Sequence, residues 1–369
     1  MPPRLTRRQF HFCAIGAAAA TYGCRALRAD DRREVSWLAE VQRPPVALPD
    51  NVPLLKPLLV TAQGKPISSL QEWTTRRSEL RQQWDGFLGE EIGPKDYQPQ
   101  LEVVAEDTEA GVRRQLVRYE IEPGQRTEAY VLKPLNSPAK CPGVVVFHST
   151  VNHSILQPAG LGTDPEKAFA FKLAKRGVVA FCPRNYLWPD NQRIASKEET
   201  ERFQQRHPHS KGMAKMLFDA RVAVNILAGL PEVDSNRLGA VGHSLGAKEV
   251  LYLAAFDDRI QVTVSSEGGI GTSFSNWDAP WYLGPSIKEP GFEREHHELL
   301  AMVAPRAFLL IGGDSADGDR GWPYIESALP VYKLFTPLPR LGLYNHRQGH
   351  AVPPECEVRI GQWFAAYLS

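Results

Sequence analysis

No apolar run in this sequence approaches the ~18 residues that span a bilayer, so a multispan membrane protein is excluded. Cysteine is sparse, at five in 369 residues, and two of them, Cys13 and Cys24, lie near the start. Cys141, Cys182 and Cys356 then allow one disulfide at most, which excludes a disulfide framework. C-x-x-C and H-E-x-x-H are both absent, so no metal site is signalled, and no cofactor fingerprint stands out. Glu295-His296-His297-Glu298 resembles a metal cluster in composition only, because adjacent helical residues point about 100° apart. A net charge of +1 gives no electrostatic footprint for nucleic acid. What remains is an ordinary globular composition, 43% hydrophobic and 23% charged.

The charge is unevenly placed. Residues 1–29 carry Arg4, Arg7, Arg8, Arg25 and Arg28 and no acid, which leaves the rest of the chain at −4. The stretch from Thr6 to Phe10 reads T-R-R-Q-F, and a mild apolar run from Phe12 to Tyr22 follows. Paired arginines before a short apolar region read as a twin-arginine export signal. The expectation is export of the folded protein by the twin-arginine machinery to the periplasm or beyond. The cleavage point is open, with Ala26 and Ala29 as candidates, and Cys24 after Gly23 is a lipidation candidate.

Three regions follow: the signal (1–29), an irregular and helical extension (30–100) and a catalytic domain (101–369). The extension is proline-rich to residue 68. It then reads as one amphipathic helix over 69–89, with Leu70, Trp73, Leu80, Trp84 and Leu88 at near-helical spacing. From 101 onward, 101–105, 113–121 and 129–133 read as antiparallel edge strands. Continuous apolar runs at 144–148, 178–182, 237–241, 261–265, 307–311 and 341–344 read as strands buried on both faces. Helical patterns lie between them at 168–175, 213–227, 247–255, 324–335 and 354–367. The alternation predicts an α/β fold with a doubly wound, mostly parallel sheet. Two long insertions, 184–211 and 271–295, interrupt it, and insertions of that length usually cover an active site.

Gly242-His243-Ser244-Leu245-Gly246 is a G-x-S-x-G pentapeptide between a buried strand and a helix. That context suits a nucleophilic serine on a strained turn at a helix N-terminus. A serine hydroxyl needs a base to take its proton. His350, just before the closing helix, is preferred over His346. The acid that orients the imidazole stays open among Asp317, Glu267, Asp319 and Asp314, with Asp317 ranked first for its depth in the loop after the 307–311 strand. The amides of Leu245 and Thr150 are the expected oxyanion donors.

Together these residues resemble the α/β-hydrolase superfamily over roughly 101–369. Within it the chain resembles the secreted esterases of the acetyl xylan esterase and dienelactone hydrolase type, most clearly from Phe218 to Ile270. A second resemblance is to the glucuronoyl esterases, which place a lysine four residues after the serine, as Lys248 stands here, and a catalytic glutamate after the next strand, where Glu267 stands. That resemblance implies a role for Lys248 at sugar hydroxyls. The chain departs from it in two places, with His243 for a cysteine and Leu245 for an arginine. Aromatics in the insertions and beside them (Trp188, Trp277, Trp281 and Trp322) suit stacking on sugar rings and equally suit packing.

The reading is therefore an exported serine esterase acting through an acyl-enzyme on carbohydrate esters, of acetyl-xylan type. A glucuronoyl esterase is the alternative. A peptidase of the prolyl-oligopeptidase type is a further one, disfavoured because the short extension cannot build a β-propeller. A binding protein without catalysis is disfavoured because serine, histidine and acids all survive.

Overall fold

The computed structural model describes residues 34–50, 52–136 and 140–368. The export reading and the lipidation candidate fall on residues 1–29, outside the described residues. The body from Glu34 onward is one compact unit.

The described residues form one nine-stranded sheet: β1 (Glu102–Glu109), β2 (Val112–Glu122), β3 (Gln125–Pro134), β4 (Cys141–Phe147), β5 (Val179–Pro183), β6 (Val233–His243), β7 (Ile260–Ser266), β8 (Ala307–Gly312) and β9 (Leu341–Asn345). Their spatial order is β1-β2-β3-β5-β4-β6-β7-β8-β9. The first three strands and the β3–β5 pair are antiparallel, and every later pairing is parallel. This is the expected doubly wound sheet with an antiparallel edge. It is the α/β-hydrolase arrangement.

Period-two alternation sends each central strand's side chains to two faces. Val144, Val146, Val262, Val264 and Leu309 pack under α3 (Phe169–Ala174) and α9 (Pro354–Tyr367). Val145, Phe147, Ala240 and Phe181 face α5 (Gly212–Gly229) and α6 (Leu245–Phe256). Farther along that face, Phe308 and Leu310 pack on α8 (Trp322–Phe335). Both faces are buried, which is why these strands read as unbroken apolar runs.

The extension belongs to the same cores. The short α1 (Leu38–Val41) lies beside β9, and Trp37 stacks on Trp363 of α9 at 5.6 Å. Helix α2 (Leu70–Leu88) begins with a capping box in which Ser69 and Glu72 satisfy each other's amides. Its buried stripe is Trp73, Leu80, Trp84 and Leu88, whereas Leu70 in the first turn stays exposed. The stripe packs on α7 (His297–Val303), and Trp84 Nε1 donates to Glu298 Oε2 at 2.8 Å.

The insertions carry structure of their own. α4 (Ser196–Arg206) runs through the first, with Thr200 and Phe203 its buried residues. The second leads into α7.

Candidate active site

Ser244 sits between the end of β6 and the first turn of α6, with φ +59° and ψ −114°. A non-glycine residue at positive φ costs on the order of 1–3 kcal/mol, so its surroundings must hold it there. The Ser244 amide donates to Ser266 O at 2.8 Å, which ties the turn to β7. The two glycines of the pentapeptide are needed for space. A Cβ on Gly242 would lie 2.2 Å from the Gly246 backbone, and one on Gly246 would lie 2.6 Å from Phe147 O. The expected strained elbow is therefore present.

His350 follows β9 and is partly exposed, its side chain at 44%. Its ring centroid lies 4.7 Å from that of His243, the residue preceding Ser244. Its Nδ1 lies 3.2 Å from Glu267 Oε2. Glu267 is 1% exposed and has φ +55°. Its Oε1 accepts from the Gly313 amide, and its Oε2 accepts from the Ala316 amide at 2.6 Å. Both oxygens are thus fixed by the loop after β8, and one of them faces the imidazole.

The acid ranked first from the sequence, Asp317, is placed elsewhere. Its Oδ2 accepts from the Gly269 amide at 2.8 Å and its Oδ1 from the Ile270 amide at 2.6 Å. It is fully buried, and burial pushes its carboxyl up to about 6, against the pull of the Ile270 amide. Asp314 and Asp319 share the Asn345 amide, at 2.7 and 2.8 Å, and both pair with Arg347. His346, the competing base, is buried, and its Nδ1 accepts from the Gln348 amide at 3.1 Å. Of the four acids, the geometry brings Glu267 to His350, and the ranking of Asp317 is corrected accordingly.

Leu245 is the first residue of α6, where a helix leaves its N–H groups without intrahelical acceptors. In the turn after β4, the Ser149 amide donates to Gln157 Oε1 at 2.9 Å and the Val151 amide to Ser149 O at 2.9 Å. Thr150 lies between them, exposed.

The proposed sugar contacts are mostly interior. Trp188 Nε1 donates to Val151 O at 2.8 Å, and its ring meets His148 edge-on at 4.6 Å. Trp277 Nε1 donates to Gly269 O at 2.7 Å. Trp322 is 4% exposed, and Trp281 is only half-buried. Lys248 is 4% exposed, and its Nζ donates to Gly268 O at 2.7 Å beneath the Trp277 ring, 4.0 Å from the centroid. Burial pushes its ammonium down to about 7, with Asp317 opposing. Trp188, Trp277 and Trp322 thus take packing positions, one of the two roles the sequence left open for them, and the role at sugar hydroxyls that the resemblance implies for Lys248 is corrected by its burial on Gly268 O.

The histidine–acid run at 295–298 is taken up by protein partners. Glu295 accepts from the Thr272 amide and hydroxyl at 2.9 and 2.7 Å. His296 bonds Ile270 O and the Tyr252 hydroxyl, both at 2.9 Å. His297 bonds Lys56 O at 3.0 Å, and Glu298 receives Trp84.

One network escaped the sequence reading. Glu249 is buried in α6, and burial drives its carboxyl well above the usual range. It accepts from Asn185 Nδ2 at 3.0 Å, and the Asn185 amide donates to His148 Nε2 at 3.2 Å. His148 therefore carries its proton on Nδ1 and donates to Ser149 O at 2.8 Å. The chain of bonds braces the turn that carries Thr150. The available signal was two charges, Lys248 and Glu249, inside an otherwise apolar helix.

Residues 127–290 match the model of the dienelactone hydrolase family. "Putative hydrolase YtaP" of Bacillus subtilis (strain 168) is 26% identical over 200 residues, covering 51% of this chain and 65% of that protein. The aligned part is thus just under two thirds of that relative's length. Among solved structures, the glucuronoyl esterase from Solibacter usitatus superposes with a TM-score of 0.68 at 16% identity, covering 86% of this chain and 99% of that one. A "putative acetyl xylan esterase" from Bacteroides fragilis NCTC 9343 gives 0.61 at 16% identity, covering 87% and 84%. At that identity the likeness establishes the fold. No helix among the described residues is long and apolar enough to cross a membrane.

Proposed function

We propose that this chain, an α/β-hydrolase whose residues 127–290 match the dienelactone hydrolase family, is a serine carboxylic-ester hydrolase with Ser244, His350 and Glu267 as its triad. The observation that carries the reading is the buried Glu267 carboxylate 3.2 Å from His350 Nδ1, with the His350 ring 4.7 Å from that of His243, the residue before the strained-elbow serine. Glu267 holds the proton on Nδ1, which leaves Nε2 unprotonated and able to act as base.

His350 Nε2 takes the proton of Ser244 as Oγ attacks the ester carbonyl carbon. The carbonyl electron pair moves to oxygen, and the resulting oxyanion is met by the Leu245 and Thr150 amides. The tetrahedral species collapses, the C–O bond to the alcohol breaks, and the His350 imidazolium gives its proton to the leaving alcohol. Water repeats the sequence on the acyl-enzyme, with His350 again as base. The carboxylic acid leaves, and Ser244 is regenerated.

A carbohydrate ester with a small acyl group, of the acetyl-xylan type, is the proposed substrate. Support comes from the kind of protein named among the structural neighbours and from Leu245, an uncharged residue beside the nucleophile. A uronoyl ester is the second reading, favoured by the position of Glu267 after β7. Export through the twin-arginine route is proposed from Arg7 and Arg8.

Short-chain nitrophenyl esters, acetylated xylan, a methyl glucuronate ester and peptide nitroanilides, each with wild type and Ser244→Ala, test the reading. A fluorophosphonate should label wild type at Ser244. Ser244→Ala should lose on the order of 10⁴-fold or more in kcat. More than a few per cent of activity in the pure variant, or turnover of nitroanilides alone, refutes the assignment.

A further inference from the structure

The turn at residues 267–270 presents backbone polar groups in the buried interior, with Glu267 at φ +55° and Gly269 at φ +78°. Buried N–H and C=O groups must find partners. Here the partners are side chains from four separate places. Lys248 of α6 donates to Gly268 O at 2.7 Å. Asp317, after β8, accepts from the Gly269 and Ile270 amides at 2.8 and 2.6 Å. Trp277, in the second insertion, donates to Gly269 O at 2.7 Å. His296, at the start of α7, donates from Nδ1 to Ile270 O at 2.9 Å, its tautomer consistent with the Tyr252 hydroxyl on Nε2. All four side chains are at most 4% exposed.

We infer that Lys248, Asp317, Trp277 and His296 are positioning residues that clamp the Glu267 turn and hold its carboxylate on His350, and that none of them contacts the substrate. The inference rests on Glu267 being the triad acid. Its physical basis is that Glu267 occupies a strained backbone conformation and has to meet one nitrogen. A misplacement of ~1 Å in such a site costs about 10²-fold. A sugar-binding lysine would need its ammonium in the cleft, whereas this one is buried, donates to Gly268 O and lies under the Trp277 ring. The four clamps also explain why an aspartate remains at 317 although the imidazole is served from elsewhere.

Lys248→Met removes the donor to Gly268 O. Asp317→Asn keeps the shape but sets an NH₂ against a backbone N–H. Trp277→Phe is the mild variant, which keeps a smaller aromatic ring and loses the one donor to Gly269 O. Each is assayed on nitrophenyl acetate and on an acetylated xylo-oligosaccharide, in wild type and in the Glu267→Gln background. The expected result is a 10- to 100-fold fall in kcat for the first two and about 3- to 10-fold for Trp277→Phe. KM should stay within about twofold, the loss should be equal on both substrates, and little further loss should appear once Glu267 is already Gln. A raised KM confined to the sugar ester, or the same fold-loss in both backgrounds, overturns the clamp. If Glu267→Gln alone keeps wild-type activity, the acid assignment itself has failed, and the clamp falls with it.

Discussion

Glu267→Gln removes one charge at constant volume. Both carboxylate oxygens accept backbone N–H groups, from Gly313 and Ala316, and Oε2 also faces His350 Nδ1. A carboxamide can put oxygen in only one of those places. With NH₂ toward the imidazole, His350 must accept at Nδ1, so its proton moves to Nε2 and it cannot take one from Ser244. With NH₂ the other way, it meets the Gly313 N–H instead. Two magnitudes agree on the cost. A carboxylate and an imidazolium about 4 Å apart at an effective dielectric of 20 attract by about 4 kcal/mol. Forcing the wrong tautomer in a Ser-His-acid site costs about 10⁴-fold. The expected fall in kcat on nitrophenyl acetate is therefore about 10³- to 10⁴-fold, with the melting temperature and circular dichroism showing a folded variant. A loss under tenfold in a folded protein, or a larger loss from Asp317→Asn, refutes the reasoning.

Three further outcomes are expected. Trp84→Ala opens a cavity where a fully buried ring bonds Glu298, and should cost about 3–5 kcal/mol by chemical denaturation. His297 is held down to about 4 by burial, below its ordinary value, so the unfolded chain binds its proton first as pH falls. Its contribution is complete above about pH 6.5 and is lost toward pH 4, at up to about 1.4 kcal/mol per pH unit, and His297→Gln should flatten the fall of the melting temperature over that window. Lysine at both Arg7 and Arg8 should leave precursor in the cytoplasm in a fractionation assay, and unchanged export would remove the twin-arginine reading.

The sheet and the elbow were legible because their signals are local. Unbroken apolar runs mark strands covered on both faces, and G-x-S-x-G between strand and helix marks the turn. The order of the acids was not legible. Glu267 and Asp317 both follow central strands, β7 and β8, which are neighbours in the sheet, and which of them reaches His350 is decided by the positive φ at Glu267 and by amides about 50 residues away. The role of the tryptophans stayed open for a related reason: an indole in a long loop has the same composition whether it faces a sugar or, as Trp277 does, a carbonyl in the core. Helix α4 was missed because S-K-E-E-T-E-R-F-Q-Q-R is almost wholly polar and buries only Thr200 and Phe203, too few apolar residues to mark a face inside a long insertion.

Helix α2 also bears on how such proteins can be recombined. Its Trp84 ring stacks on His296 at 5.6 Å, and His296 in turn holds Ile270 O. A graft that takes the sheet from residue 101 onward would carry every residue of the triad and still leave behind the wall against which the base-orienting turn is set. The engineering unit is therefore longer than the strand pattern suggests: extension and sheet have to travel together, and swaps between relatives should be cut before α1 and not between α2 and β1.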